Sequence, residues 1–263
     1  MEPITSLENP KVKQAFRLQD RRDRDKTGLF LIEGYRELLR AVEGNHPLDH
    51  IFVCPELYLG SNEESLLART KAKIYLVPEK VFRKLSYRDR PDGILAVAPQ
   101  RHLGLKELPK TKNRFLLVAE AIEKPGNLGT LLRSSDAAGI DACILADKTT
   151  DLHNPNVVRA SVGTLFTVPV IEATAEDTLA YLKQNKIKIV SATPHAELSY
   201  TDADLTGDIA IVVGTEQLGL SPLWMEQADI QVRIPMRGKA DSLNVATAAT
   251  LLLFEALRQR DSQ

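Results

Sequence analysis

With 263 residues, 43% of them hydrophobic and 26% charged, the chain has the composition of a globular protein long enough for two ordinary domains or one large one. No apolar run approaches the roughly 18 residues that a membrane helix needs, and Met1-Glu2-Pro3-Ile4-Thr5 lacks the basic-then-apolar pattern of a secretory signal, so a cytoplasmic protein with no membrane contact is expected. The formal charge of −1 conceals an imbalance: residues 1–113 carry 21 Lys and Arg against 16 Asp and Glu, whereas residues 114–263 carry 13 against 19, as in a polyanion-binding module joined to something that does chemistry.

In chain order, Asn9-Pro10 supplies a cap and a first-turn proline, and Val12, Ala15, Phe16 and Leu18 recur at helical spacing, predicting an amphipathic helix over 9–24. The mixed-sign run 19–26 inside it reads equally well as an ordinary solvated face. Short apolar strands at 29–32, 51–54, 74–77 and 93–98 then alternate with helices at 35–42, 63–70 and 79–85, predicting a small three-layer α/β domain over 1–98. Residues 99–113 have two prolines and little periodicity, and are expected to be a linker. From Phe115 the pattern restarts as a second domain over 114–263. Its strands (115–119, 142–146, 167–171, 187–192 and 209–213) are continuous apolar runs of the kind buried on both faces of a parallel sheet. Helices are expected at 128–138, 156–161, 175–184 and 243–258. The last is apolar on almost every face and must be covered by its own domain or by a second subunit. Cys54 and Cys143 sit among apolar neighbours about 90 residues apart, which suits core thiols in a reducing compartment.

An open parallel sheet binds ligands in the loops beyond the carboxyl ends of its strands, and three such loops stand out. In the first, Gly126, Asn127 and Gly129 mark a turn into a helix, where Asn127 suits a cap that also hydrogen-bonds a substrate; Arg133 follows on that helix. In the second, Gly214 at a strand end permits close backbone approach, and Glu216 is a carboxylate at the sheet's edge. The third runs from Ile234 to the final helix, with Asp241 or Ser242 as its expected N-cap and Asn244 in its first turn, where a polar amide asks for a partner. The last two loops together make a pocket of backbone suited to a flat, neutral adenosine. Neither G-x-G-x-x-G after a strand nor G-x-x-x-x-G-K-[ST] occurs, which disfavours dinucleotide dehydrogenases and P-loop NTPases. His46, His50, His102, His153 and His195 are scattered, make no metal pattern, and read as surface residues.

Taken in order, Asn127-x-Gly129-x-x-x-Arg133, Gly214-x-Glu216-x-x-Gly219, and Ile234-Pro235-Met236 with Ser242-Leu243-Asn244-Val245 resemble the three motifs of the SpoU family of ribose 2′-O-methyltransferases, part of the knotted SPOUT class. Residues 1–98, with Phe30-Leu31-Ile32-Glu33-Gly34, are similar to the family's amino-terminal substrate-binding domain, a ribosomal-protein-like RNA-binding α/β fold. The resemblance implies a deep trefoil knot in the carboxy-terminal parallel-sheet domain and a homodimer with the knots at its interface. It implies S-adenosyl-L-methionine bound near Gly214, Ile234 and Leu243, with Arg133 as the catalytic arginine and Asn127, Glu216, Ser242 and Asn244 completing the active site. No metal is implied. Guanidinium stays protonated in proteins, so Arg133 is expected to bind the RNA phosphate beside the target ribose, letting that phosphate take the hydroxyl proton while Asn127 and Ser242 hold the hydroxyl in line. Glu216 is left with two roles, favouring the cofactor's positive charge or fixing its loop. Ribosomal RNA, of the 23S kind, is the expected substrate; transfer RNA, or a non-catalytic role in ribosome assembly, are the alternatives.

Overall fold

In the computed structural model, which describes residues 1–262, the chain forms two compact units. The first comprises Met1–Arg101 and Asp151–Thr167. It opens with a two-residue strand, β1 (Glu2–Pro3), and α1 (Pro10–Arg17), capped by the Asn9 side chain, which accepts from the Lys11 amide at 2.9 Å. The helix expected over 9–24 is broken in two. Asp20 caps a second helix, α2 (Arg21–Thr27), by accepting from the Arg22 amide, and the buried Arg24 donates to the carbonyls of Leu18 and Gln19 in the intervening turn. The Arg24 guanidinium also meets Asp151 at 2.6 Å, so part of the mixed-sign run is structural rather than solvated. There follow β2 (Leu29–Glu33), α3 (Tyr35–Glu43), β3 (His50–Val53), α4 (Glu63–Ala68), β4 (Lys73–Leu76), α5 (Glu79–Leu85) and β5 (Ile94–Pro99). The strands form a five-stranded sheet in the order β1-β4-β3-β5-β2, with β5 antiparallel to both of its neighbours. Alternate strand residues feed two cores: Leu31, Phe52, Leu95 and Val97 pack with α1 and α5, while Phe30, Ile51, Val53 and Ala96 pack with α3 and α4.

The second unit comprises His102–Thr150 and Val168–Gln263. Residues of the expected linker pack against it: Leu103 pairs with Ile171, and Leu108 is buried. Its first elements are β6 (Phe115–Glu120), α6 (Pro125–Ala137) and β7 (Ala142–Ala146). The chain then makes α7 (Pro155–Ala160) and a 3-10 turn (Thr164–Phe166), both of which belong to the first unit. The strand expected over 167–171 forms later, as β8 (Val170–Ala173), because residues up to Phe166 are taken by that turn. After α8 (Ala175–Gln184), β9 (Lys188–Ala192) and β10 (Ile209–Val213) come two short elements without a strong sequence signal, α9 (Pro222–Glu226) and β11 (Ile230–Val232), and finally α10 (Val245–Asp261). All six strands are parallel, in the order β11-β9-β10-β6-β7-β8. Leu116, Val118, Ile144, Ala210 and Val212 pack one face against α8 and the fully buried Trp224. On α6 and α10, Ser134 and Thr250 join their hydroxyls at 2.6 Å. No helix among the described residues is long and apolar enough to cross a membrane.

The chain winds outward from β6 through β7 to β8, then returns to lay β9, β10 and β11 on the other side of β6. Strand order therefore reverses between β6 and β10, and the loops beyond their carboxyl ends diverge there, leaving room for a ligand.

Candidate functional site

The loop after β10 is shaped by a glycine. A Cβ on Gly214 would sit 2.2 Å from the Gly219 carbonyl oxygen, so only glycine lets the loop fold back on itself. Paired amides of Thr215 and Gly219, at 3.0 and 3.1 Å, close this tight turn, and the Leu218 amide donates to the Thr215 hydroxyl. Its far end is anchored to β6, where the buried Glu120 carboxylate accepts from the Ser221 amide at 2.9 Å. The turn is a rigid wall held from both ends.

A cleft of about 440 Å³ opens beside it, within the range of about 300–1,000 Å³ typical of small-molecule sites. Gly214, Glu216, Ile234, Ser242 and Leu243, singled out from the sequence, all line it, with apolar surface from Leu220, Val232, Met236 and Val245. The backbone from Ile234 to Leu243 makes no hydrogen bond among the described residues, so its amides and carbonyls are open to a ligand. Crowded glycine backbone, free peptide groups and apolar side chains suit a flat heterocycle. Among the described residues no group of His, Cys, Asp or Glu is arranged to hold a metal ion.

Beside the cleft, three expected site residues meet directly. Glu216 accepts hydrogen bonds from Asn127 Nδ2 and Lys124 Nζ, and Asn244 Nδ2 donates to both Glu216 Oε1 and Asn127 Oδ1 at 3.1 Å. The hydrogen bond from Lys124, then that from Asn127, holds the Glu216 carboxyl below its ordinary range, so it is an anion at neutral pH engaged by three donors. This geometry makes Glu216 the tie between the loops after β6 and β10 and the start of α10.

Two local expectations are corrected. Asn127 does not cap α6, which begins at Pro125; it stands in the first turn and turns its amide to Glu216. Neither Asp241 nor Ser242 caps α10. Asn244 does, its Oδ1 accepting from the Ala246 and Thr247 amides while its Nδ2 reaches the cluster. Arg133 is not brought into the cluster. It lies six residues beyond Asn127 on α6, about 9 Å further along the helix axis, exposed and without a hydrogen bond or ion pair among the described residues. Two residues went unnoticed in the sequence. Of the histidines read as surface residues, His50 and His153 are buried, whereas His195 is exposed as expected and lines the cleft just beyond β9; Lys124 sits in the loop directly after β6. Both follow the carboxyl ends of strands, which was the signal available for each.

Known proteins share this sequence pattern and fold. Residues 114–254 match the SpoU rRNA Methylase family, and residues 9–96 match the MRM3-like substrate binding domain. The 23S rRNA (guanosine(2553)-2′-O)-methyltransferase RlmP of Bacillus subtilis is 32% identical, covering 97% of this chain and 98% of its own. A crystal structure of an RNA 2′-O ribose methyltransferase superposes with a TM-score of 0.87 at 43% identity over 98% of both chains. The AdoMet-bound rRNA methyltransferase from Sinorhizobium meliloti superposes with a TM-score of 0.89 at 30% identity, over 98% of this chain and 97% of that one. With more than half of its length matched by one family model and a relative similar from end to end, the chain belongs to the SpoU rRNA methylase family.

Proposed function

We propose that this protein transfers a methyl group from S-adenosyl-L-methionine to a ribose 2′-hydroxyl of ribosomal RNA, with 23S rRNA as the substrate. The observation that carries the proposal is the cleft between the Gly214 turn and the Ile234–Leu243 backbone, lying beside the Asn127, Glu216 and Asn244 cluster. The similarity to the 23S rRNA enzyme RlmP and to an AdoMet-bound structure supports the substrate and the cofactor.

The cofactor would lie against Gly214, Ile234 and Leu243, where it supplies a methyl already activated on a positively charged sulfur. Positioning then does most of the work. Glu216, engaged by three donors, holds the loops in register instead of taking a proton. Asn127 and Ser242 orient the ribose hydroxyl, whose proton passes to the adjacent RNA phosphate as its oxygen gains the methyl. Arg133 binds that phosphate. Because the Arg133 side chain makes no hydrogen bond or ion pair with its own chain's cluster, we assign it to a homodimer formed through the catalytic domain, in which a second copy's Arg133 completes the site. Leu251 and Phe254, exposed at 38% and 44% on α10, offer the apolar contact for that dimer. A trefoil knot formed by the segments around β10, β11 and α10, and a cytoplasmic location beside the ribosome, complete the proposal.

The test is calorimetry with S-adenosylmethionine. Wild-type protein is expected to bind one cofactor per chain, and Gly214→Val, which puts a branched side chain into the Gly219 carbonyl, is expected to lose that binding while remaining folded. Unchanged binding by the folded variant would place the cofactor elsewhere.

A further inference from the structure

A cleft of about 760 Å³ in the first unit is ringed by arginines. Arg36 from α3, Arg90 from the loop before β5 and Arg159 from α7 line its mouth; all three are exposed, and their side chains make no hydrogen bond or ion pair among the described residues. We propose that this cleft is an RNA-backbone site in which Arg36, Arg90 and Arg159 grip successive phosphates, so that α7, which follows β7 in the chain, serves substrate capture.

The cleft also contains acids, and their placement decides its character. Glu37, Glu63 and Asp92 are buried and committed. Arg88 Nη2 donates to Glu37 Oε1 at 2.6 Å and to the Glu33 carbonyl at 2.7 Å, its Nη1 lies 3.7 Å from Asp92, Asp92 accepts from the Tyr35 amide, and Glu63 accepts from the Gly60 amide. Burial moves Glu33 and Glu37 upward, toward the neutral form. Gly34 makes the network possible: at φ +114°, an added Cβ would lie 2.3 Å from Glu37 Oε2 and 2.5 Å from Arg88 Nη2. The acids are thus spent on the floor, and the mouth presents three free guanidiniums against one exposed acid, Asp89.

Two further observations point to a polar occupant. Arg88 Nε and Asp92 Oδ1 are buried without a hydrogen-bond partner, so the floor keeps unspent polar capacity. The position of Arg159 is also fixed. Arg40 donates to the Val162 carbonyl, and Gly163 lies so close to α3 that a Cβ would come within 2.9 Å of Glu37 Cα. Planar guanidinium forks match phosphate oxygens, and the Tyr35 ring in the same cleft offers a surface for a sugar or base.

The site rests on the ribosomal-RNA reading only for the identity of its RNA. The test measures filter binding of a 23S rRNA transcript to the full-length protein across a salt series. The variants are Arg36→Gln/Arg90→Gln/Arg159→Gln and a control of equal charge, Arg17→Gln/Arg22→Gln/Lys80→Gln, whose exposed cations lie in the same unit but outside the cleft. The cleft variant is expected to lose at least tenfold in affinity and to show a salt slope shallower by about 2, at roughly 0.7 per phosphate contact, with S-adenosylmethionine binding unchanged. A loss that does not exceed the control's by at least fivefold overturns the proposal. If the wild type binds no S-adenosylmethionine while the cleft variant still loses RNA, the methyl-transfer reading fails and the cleft assignment stands.

Discussion

Arg133 and Glu216 stand in opposite surroundings. Glu216 is an anion at neutral pH with three side chains donating to it, so it is neither a free base nor a free counter-charge. Arg133 is a permanent cation with nothing to hold in its own chain. A group of that kind is suited to a substrate phosphate, and the expected effect of Arg133→Ala follows from it. Cofactor affinity by calorimetry should stay within about twofold of wild type, while methyl transfer falls by about 100-fold or more, the scale of losing a transition-state electrostatic contact. Near-normal turnover in the variant would remove the role. The motif spacing singled out both residues, but not the side chains that Glu216 holds. Its partners Lys124 and Asn127 are about 90 positions away in the chain, and only the parallel sheet brings the loops after β6 and β10 together.

At the scale of elements, α10 joins stability to chemistry through one residue. Asn244 caps the helix with its oxygen and ties Asn127 to Glu216 with its nitrogen. The two jobs separate by substitution. Asn244→Ala loses both, costing about 1 kcal/mol for the cap and lowering the melting temperature by about 2–4 °C for a chain of this size. Asn244→Ser keeps a capping oxygen but cannot span to Glu216, so its melting temperature should stay near wild type while methyl transfer drops as in the alanine variant. Equal melting temperatures for Ala and Ser would deny the cap, and wild-type turnover for Ser would deny the tie. The sequence showed that Asn244 needs a partner but put it two positions too deep, because Ser242 is also a good capping residue by type and only the backbone path decides between them. The same limit explains α1 and α2. Val12, Ala15, Phe16 and Leu18 carry a helical period, but the Asp20 cap and the burial of Arg24 against Asp151 break the helix, and the second depends on a residue more than 120 positions away. By contrast β6, β7 and β10 were legible, since a strand buried on both faces is written as an unbroken apolar run.

At the scale of the whole molecule, two α/β units were expected, but not how the chain is shared between them. Asp151–Thr167 leaves the second unit to complete the first, carrying Arg159 to its cleft. No local pattern announces this, because α7 looks like any short helix between β7 and β8. The exposed Leu251 and Phe254 show that α10, apolar nearly all round, is not fully covered within one chain. The central claim, methyl transfer to a ribose of ribosomal RNA, is tested most directly by incubating the protein with methyl-labelled S-adenosylmethionine and unmodified 23S rRNA, digesting the RNA to nucleosides and locating the label by mass spectrometry. The account predicts a single 2′-O-methylated nucleoside, absent with Arg133→Ala. Label on a base, or no transfer from protein that binds the cofactor, would contradict it.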